Sequence, residues 1–312
     1  MQRLTNALRF IDFSIRMALK YEALQKPWMV LSLSAGVLTA LWLLPLGLLI
    51  RWLGSWPIVW VLVGVIILLY VGYLRILGEI TALRTAQIFS GLINGGEGAA
   101  FDESPMAVFN THGGDVLLYM LAAPGLNLLL AFQELFSKPS QTALTWKKAH
   151  PLIPPIIALE DLNLKGAIEA VKAIVTENLL RFQPGYLPVG GVARVVEWGL
   201  ILIGFTIGGV LSAKIAEPLF AASWRSFFAV GTGLVAAGIL SVAGIAFSSY
   251  SRSCYHTVLH TWACKVQAVQ GTPGAAVAAP PEILSAAMTK NVKDGSRKGP
   301  EDGKEGSDAT KT

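Results

Sequence analysis

The stretch Trp28 to Ile50, WMVLSLSAGVLTALWLLPLGLLI, runs 23 residues without a charged side chain. As an α-helix rising about 1.5 Å per residue it reaches about 34 Å, enough for a hydrocarbon core of about 30 Å. The same pattern recurs outward along the chain. Trp56–Leu74 is a second uncharged run, and Arg51–Ser55 leaves room only for a tight hairpin between the two. Trp198–Ala213 is a third run, slightly short, and Ser226–Ser251 a fourth, joined by a second hairpin over Lys214–Arg225. Trp28, Trp52 and Trp56 fall at span ends, where indole rings favour the membrane interface. Of the 312 residues 53% are hydrophobic and 14% charged, against about 25% charged in soluble domains. These features predict an all-α, polytopic helical membrane protein with four spans. The net charge of +5 would suit nucleic acid only if clustered; here the cations sit at span borders and in a mixed-charge tail, so no nucleic-acid partner is expected.

The middle of the chain is harder to place. Val116–Phe132 is uncharged but carries Pro124, Gly125 and Asn127. His150–Leu159 is apolar, about half a bilayer long, and holds Pro151, Pro154 and Pro155. Charge arbitrates between the topologies. If neither segment crosses, one side of the membrane holds 22 of the 25 Lys and Arg, as cytoplasmic loops rich in cations require. If Val116–Phe132 crosses alone, the nominal cytoplasmic side keeps 9 and the rule fails. If both cross, the division is 19 against 6 and a six-helix bundle results. The expectation is therefore four full spans plus a Pro-broken middle pair that re-enters or crosses together, with both termini cytoplasmic. The late start of the first apolar run argues against a cleaved signal peptide.

Three parts follow: an amphipathic N-terminal helix (1–27), a membrane helical domain (28–270) and a flexible cytoplasmic tail (271–312). In the first, Leu4, Leu8, Ile11, Ile15 and Ala18 recur at helical spacing opposite Asp12, Arg16 and Lys20, which fits a helix on the membrane surface or against the bundle. Residues 90–114 are glycine-rich and aperiodic, and read as a loop. Residues 164–182 read as a second surface helix, with Ile168, Val171, Val175, Leu179 and Phe182 as its apolar stripe and Asn163 as its N-cap.

Several constellations invite a functional reading. Gly204, Gly208 and Ser212 in the third span, and Gly233, Ala237 and Ser241 in the fourth, recur every four residues. Small residues at this spacing let helix backbones approach closely, so the two stripes are expected to face each other; a homodimer face is the other use. Arg194 and Glu197 read as an ion pair at the start of the third span. Glu160 and Asp161 pair two carboxylates after the Pro-Pro segment; they either cap the next helix against its dipole or, with Asn127, form a polar site. His256, His260 and Cys264 form a row on one helix. Such a row needs a ligand from elsewhere to hold a metal, so no metal and no cofactor is expected. Cys254 and Cys264 are about 15 Å apart along that helix, too far for a disulfide. No serine elbow, phosphate loop or metalloprotease helix is present, and no enzyme activity is expected.

The order of pieces resembles a group of uncharacterised bacterial multi-pass membrane proteins. The likeness is carried by Ser14-Ile15-Arg16-Met17-Ala18-Leu19-Lys20 with Lys26-Pro27-Trp28 and Leu31–Gly36, by Ile153-Pro154-Pro155-Ile156-Ile157-Ala158-Leu159-Glu160, and by Tyr255–Ala263. It runs over residues 10–290. The layout is similar to the membrane domain attached to some glycerophosphodiester phosphodiesterases. That group usually has six spans, and the short segment before Glu160 departs from it. The resemblance implies a bacterial cytoplasmic (inner) membrane but no hydrolytic activity, since these residues hold no soluble phosphodiesterase domain. The expected role is a structural or accessory membrane protein that organises lipid or a protein partner, with homo-oligomers allowed. The alternative is a small transporter or permease component with its site at the broken middle.

Overall fold

The computed structural model describes residues 2–53, 56–94, 107–136, 146, 150–182, 187–219 and 222–270. Every regular element among them is helical. In chain order these are α1 (Gln2–Lys20), α2 (Glu22–Leu53), α3 (Pro57–Ile93), α4 (Ala107–Phe136), a single 3-10 turn (His150–Leu152), α5 (Ile153–Glu160), α6 (Leu164–Phe182), α7 (Val189–Leu219) and α8 (Ala222–Gln270). The tail 271–312 lies outside the described residues. Among the described residues, three helices are by length and composition apolar enough to cross a membrane: Pro57–Ile93, Thr111–Leu130 and Val189–Gly208. The uncharged runs Trp28–Ile50 and Ser226–Ser251 are helical throughout, within α2 and α8.

The helices α3 (37 residues) and α8 (49 residues) are longer than a bilayer requires. Each leaves the apolar region and continues as a wall of a second, denser layer. There Leu83, Ile88 and Phe89 of α3 meet Tyr250, Cys254, Tyr255, Val258, Leu259 and Trp262 of α8. The remaining walls are Phe10 and Ile11 of α1, Ile153, Ile156 and Ile157 of α5, and Ala167, Val171 and Ile174 of α6. The clusters between the apolar runs are far smaller: Ala35, Tyr70, Leu74, Val242 and Ile245 in one, Leu46, Val59 and Val63 in the other. Among the described residues, most of the buried core therefore lies beside the apolar runs, in a helical layer built on their extensions.

The N-terminal helix ends at Lys20, seven residues before the expected boundary, and α2 starts at Glu22 with only Tyr21 between. Its buried face is Asn6, Ala7, Phe10, Ile11 and Ser14, while Leu4 and Leu8 stay half exposed. It is docked on the bundle by Phe10 against the ring of Tyr255 (5.4 Å) and by the Tyr250 hydroxyl donating to the Ser14 carbonyl (2.6 Å).

The middle segment corrects the expectation of a broken pair. Pro124 and Gly125 do not interrupt α4, which is helical from Ala107 to Phe136. A proline inside a helix removes one backbone hydrogen bond, and the chain here absorbs that loss without unwinding. The helix also takes in residues 107–114, which the glycine content had marked as loop. The other arm is a start rather than a break. Pro154 and Pro155 occupy the first turn of α5, where a missing N–H costs nothing. Ile153 through Ala158 are all buried, and eight residues reach only about 12 Å, so α5 is a core helix too short to cross. On α6 the buried positions are Ala167, Val171 and Ile174, with Ile168 exposed. The apolar face is thus turned by one position from the expected stripe, of which only Val171 is confirmed; the side chains of Val175, Leu179 and Phe182 lie outside the described residues.

Candidate functional site

The four-residue spacing on α7 and α8 reaches physical expression at Gly204. A Cβ there would lie 2.9 Å from the Ala237 Cα and 3.0 Å from the Ala236 carbonyl, so only glycine permits the approach. One heptad further along the antiparallel pair, a Cβ on Gly244 would lie 3.0 Å from the Glu197 Cα, a contact the small-residue spacing did not include. Gly208 is buried. Ser241 turns its hydroxyl back to the Ala237 carbonyl (2.6 Å) rather than across the pair. The side-chain surroundings of Ser212 and Gly233 lie outside the described residues. On the neighbouring face, a Cβ on Gly78 of α3 would meet the Ser249 hydroxyl at 3.0 Å, so α3 and α8 also cross closely.

Glu197 is 1% exposed, and its partner is Arg75 of α3 (2.5 Å), not Arg194. Sequence proximity suggested Arg194 because it lies one helical turn away. The fold instead leaves Arg194 exposed and turns Glu197 inward to where α3, α7 and α8 meet.

Just beyond this ion pair lies a cavity of about 490 Å³. Its walls come from five pieces of chain: Glu79, Ala82 and Leu83 of α3; Tyr119 and Asn127 of α4; His150, Pro151, Pro154 and Pro155; residues 187–194 at the start of α7; and Ser249, Arg252, Ser253, Tyr255 and His256 of α8. Each wall is pinned. The Tyr119 hydroxyl donates to the His150 carbonyl (2.9 Å), and Asn127 Nδ2 lies 3.3 Å from His150 Nε2. Ser253 donates to the Ala82 carbonyl (2.5 Å), and the Leu187 amide donates to the Tyr255 hydroxyl (2.5 Å). Trp146 stacks on His150 at 5.7 Å.

The cavity's electrostatics favour an anion. Arg252 lies 3.8 Å from Glu79, which balances one charge, and Arg194 adds a second cation at the wall. His256 contributes no charge near neutrality: burial, with help from Arg252 and His150, pushes its pKa down to about 3. The first helical bond of α7 runs from the Val192 amide to the Pro188 carbonyl (3.0 Å). The amides of Val189, Gly190 and Gly191 therefore have no partner within the helix. A helix start is a place where anions bind, and Gly190 and Gly191 of this one line the cavity.

Of the expected polar trio, only Asn127 lines this cavity. Asp161 takes the left-handed conformation (φ 52°) at the end of α5 and meets His112 Nε2 at 2.6 Å. Glu160 turns to α8, where it meets His260 Nε2 at 3.1 Å. Neither carboxylate caps α6. Asn163 Oδ1 accepts from the Gly166 amide (2.8 Å), and Asp115 Oδ1 of α4 accepts from the Leu164 amide (3.1 Å). Sequence reasoning missed Glu79, Arg252 and the Gly190-Gly191 pair. The signal available for the last was a Pro-Val-Gly-Gly start ahead of an apolar run. No family model, no curated protein and no solved structure matches the chain.

Proposed function

We propose that this protein is an accessory component of a membrane that holds the anionic headgroup of a lipid in the cavity where α7 begins. The observation that carries the reading is the convergence of Arg194, Arg252 and the open first turn of α7 on one cavity of about 490 Å³. Its position supports a lipid rather than a free solute. The cavity lies just beyond the Arg75–Glu197 pair, where the apolar runs give way to the dense helical layer. An acyl chain could lie along the exposed apolar surface of α7, where Val195, Leu202 and Ile203 face outward. We place both termini on the cytoplasmic side from the distribution of Lys and Arg. The pairing of α4 supports that topology. His112, Asp115, Tyr119 and Asn127 all bond the 150–164 segment, which ties that side of α4 to the dense layer, while Leu118, Leu121, Leu128 and Leu129 stand exposed on it.

Native mass spectrometry of the detergent-purified protein tests the reading. Phosphatidylglycerol should be retained over phosphatidylcholine, and Arg194→Gln should lower that preference. Equal retention of both lipids, or a preference untouched in Arg194→Gln together with Arg252→Gln, would overturn it. A small transporter or permease component would use the same cavity, and solute flux in proteoliposomes, abolished by Asn127→Leu, would favour that reading instead.

A further inference from the structure

Outside the cavity, Glu160, His260 and Cys264 bring three different donor atoms together. Glu160 is the last residue of α5, while His260 and Cys264 lie one turn apart on α8. The Glu160 Oε1 to His260 Nε2 distance is 3.1 Å, Cys264 Sγ to His260 Nε2 is 3.6 Å, and Cys264 Sγ to Glu160 Oε1 is 3.7 Å. Zinc bonds of about 2.0 Å to oxygen, 2.1 Å to nitrogen and 2.3 Å to sulfur, set at tetrahedral angles, require donor separations of about 3.3–3.6 Å. The three distances here fall within a few tenths of an ångström of that triangle. We propose that Glu160, His260 and Cys264 bind a zinc-class divalent cation, with a fourth coordination position open to solvent.

The donor set selects the metal. Calcium and magnesium take oxygen ligands, whereas one thiolate, one imidazole and one carboxylate suit zinc or cobalt. His260 is 5% exposed, so the site has a fixed, desolvated floor, and the half-exposed Glu160 stands at its rim. Burial holds the imidazole below its ordinary pKa against the pull of Glu160, which keeps it in the neutral form a metal needs. Burial first, and Glu160 second, push the Cys264 thiol up to about 11, so the cation displaces one proton as it binds. Sγ also lies 3.8 Å from Nδ1 of His260; the ring therefore turns about its last torsion, a soft one, to aim Nε2 at the ion. The bound cation would fasten the end of α5 to α8, at the point where Asp161 reverses the chain.

Cobalt and zinc titrations of the chelator-treated, detergent-purified protein test the site. Cobalt should give visible bands and a near-ultraviolet thiolate-to-metal band at one equivalent. The thiolate band should persist in Cys254→Ser, whose sulfur is buried elsewhere on α8, and disappear in Cys264→Ser. Zinc affinity should fall at least about 100-fold in Cys264→Ser and Glu160→Gln, since losing even an outer partner costs 10–100-fold. In the unaltered protein, saturating zinc should protect Cys264 from maleimide, a readout that needs no variant to fold. A cobalt spectrum without the thiolate band, zinc affinity unchanged in Cys264→Ser, or maleimide labelling indifferent to zinc would each overturn the proposal.

Discussion

One helix, α3, changes character along its length. Before Arg75 its buried residues form a narrow stripe, Val59, Val63, Tyr70 and Leu74, while Ile58, Trp60, Val61, Leu62, Leu68 and Leu69 stand exposed. After Arg75 burial spreads around the helix: Leu83, Arg84, Thr85, Ala86, Ile88 and Phe89 are all covered, the arginine included. Water would not tolerate the first arrangement, because so large an apolar surface would associate. Lipid tolerates it readily, since hydrocarbon tails are as apolar as leucine and helices there associate through close packing. The second arrangement belongs to a domain whose core is closed by the hydrophobic effect. Gly204 against Ala237 and the triad of isoleucines on α5 are the corresponding devices of the two halves.

The largest expected effect separates them directly. Ile157→Ala, at a position with no exposure, should lower stability by about 2–5 kcal/mol through lost burial and a residual cavity. Leu62→Ala, half exposed on α3 before Arg75, in the upper half that carries the apolar runs, should change it by less than about 0.5 kcal/mol. Thermal unfolding in detergent checks the pair, and equal losses would erase the distinction. A sharper test uses two leucines of the same exposure, Leu19 and Leu68, both at 73%. Leu68→Arg should impair membrane insertion by about 2.5–3.5 kcal/mol, the cost of a cation at the centre of a span. Leu19→Arg should be accepted within about 0.5 kcal/mol. An in-cell insertion assay on both variants would break the comparison if they behaved alike.

Within the upper half, Gly204→Leu should cost about 1–3 kcal/mol by overpacking, because its Cβ would land on the backbone of α8. The register set by Gly204–Ala237 and Glu197–Gly244 carries on to place Gly208 opposite Gly233. Gly208→Leu should therefore give a loss of similar size. If detergent melting leaves Gly208→Leu unchanged, the close approach ends at Gly204.

How much of this was legible in the sequence differs between the halves for a physical reason. Lipid imposes a long apolar run and small-residue spacing, and both are local patterns, so α3, α7 and the Gly204 contact could be read. The cap at Asn163 is local too. The lower half is assembled from pieces far apart in sequence. Nothing in the neighbourhood of Glu197 points to Arg75, and nothing near His260 points to Glu160. The prolines misled in both directions: Pro124 sits inside a continuous helix, and Pro154 and Pro155 start one. Asn127 was legible as a polar residue in an apolar run, whereas Arg252 and Glu79 were hidden among ordinary helix charges.

The smallest expected effect concerns the rim of the lower half, where the surroundings should be water. Asn163→Ala removes the acceptor for the Gly166 amide at the start of α6, while Asp115 still holds the Leu164 amide. In water the freed N–H finds a solvent partner, and the loss should be about 1 kcal/mol. In hydrocarbon no such partner exists, and an unsatisfied amide would cost several kcal/mol. Lys165, Glu169 and Lys172 on the exposed face of α6 favour water. Hydrogen exchange should therefore show faster exchange in the first turn of α6 in Asn163→Ala, with slow exchange retained in α5 and the buried part of α8. A melting loss rivalling that of Ile157→Ala would move α6 into the lipid and redraw the boundary between the halves.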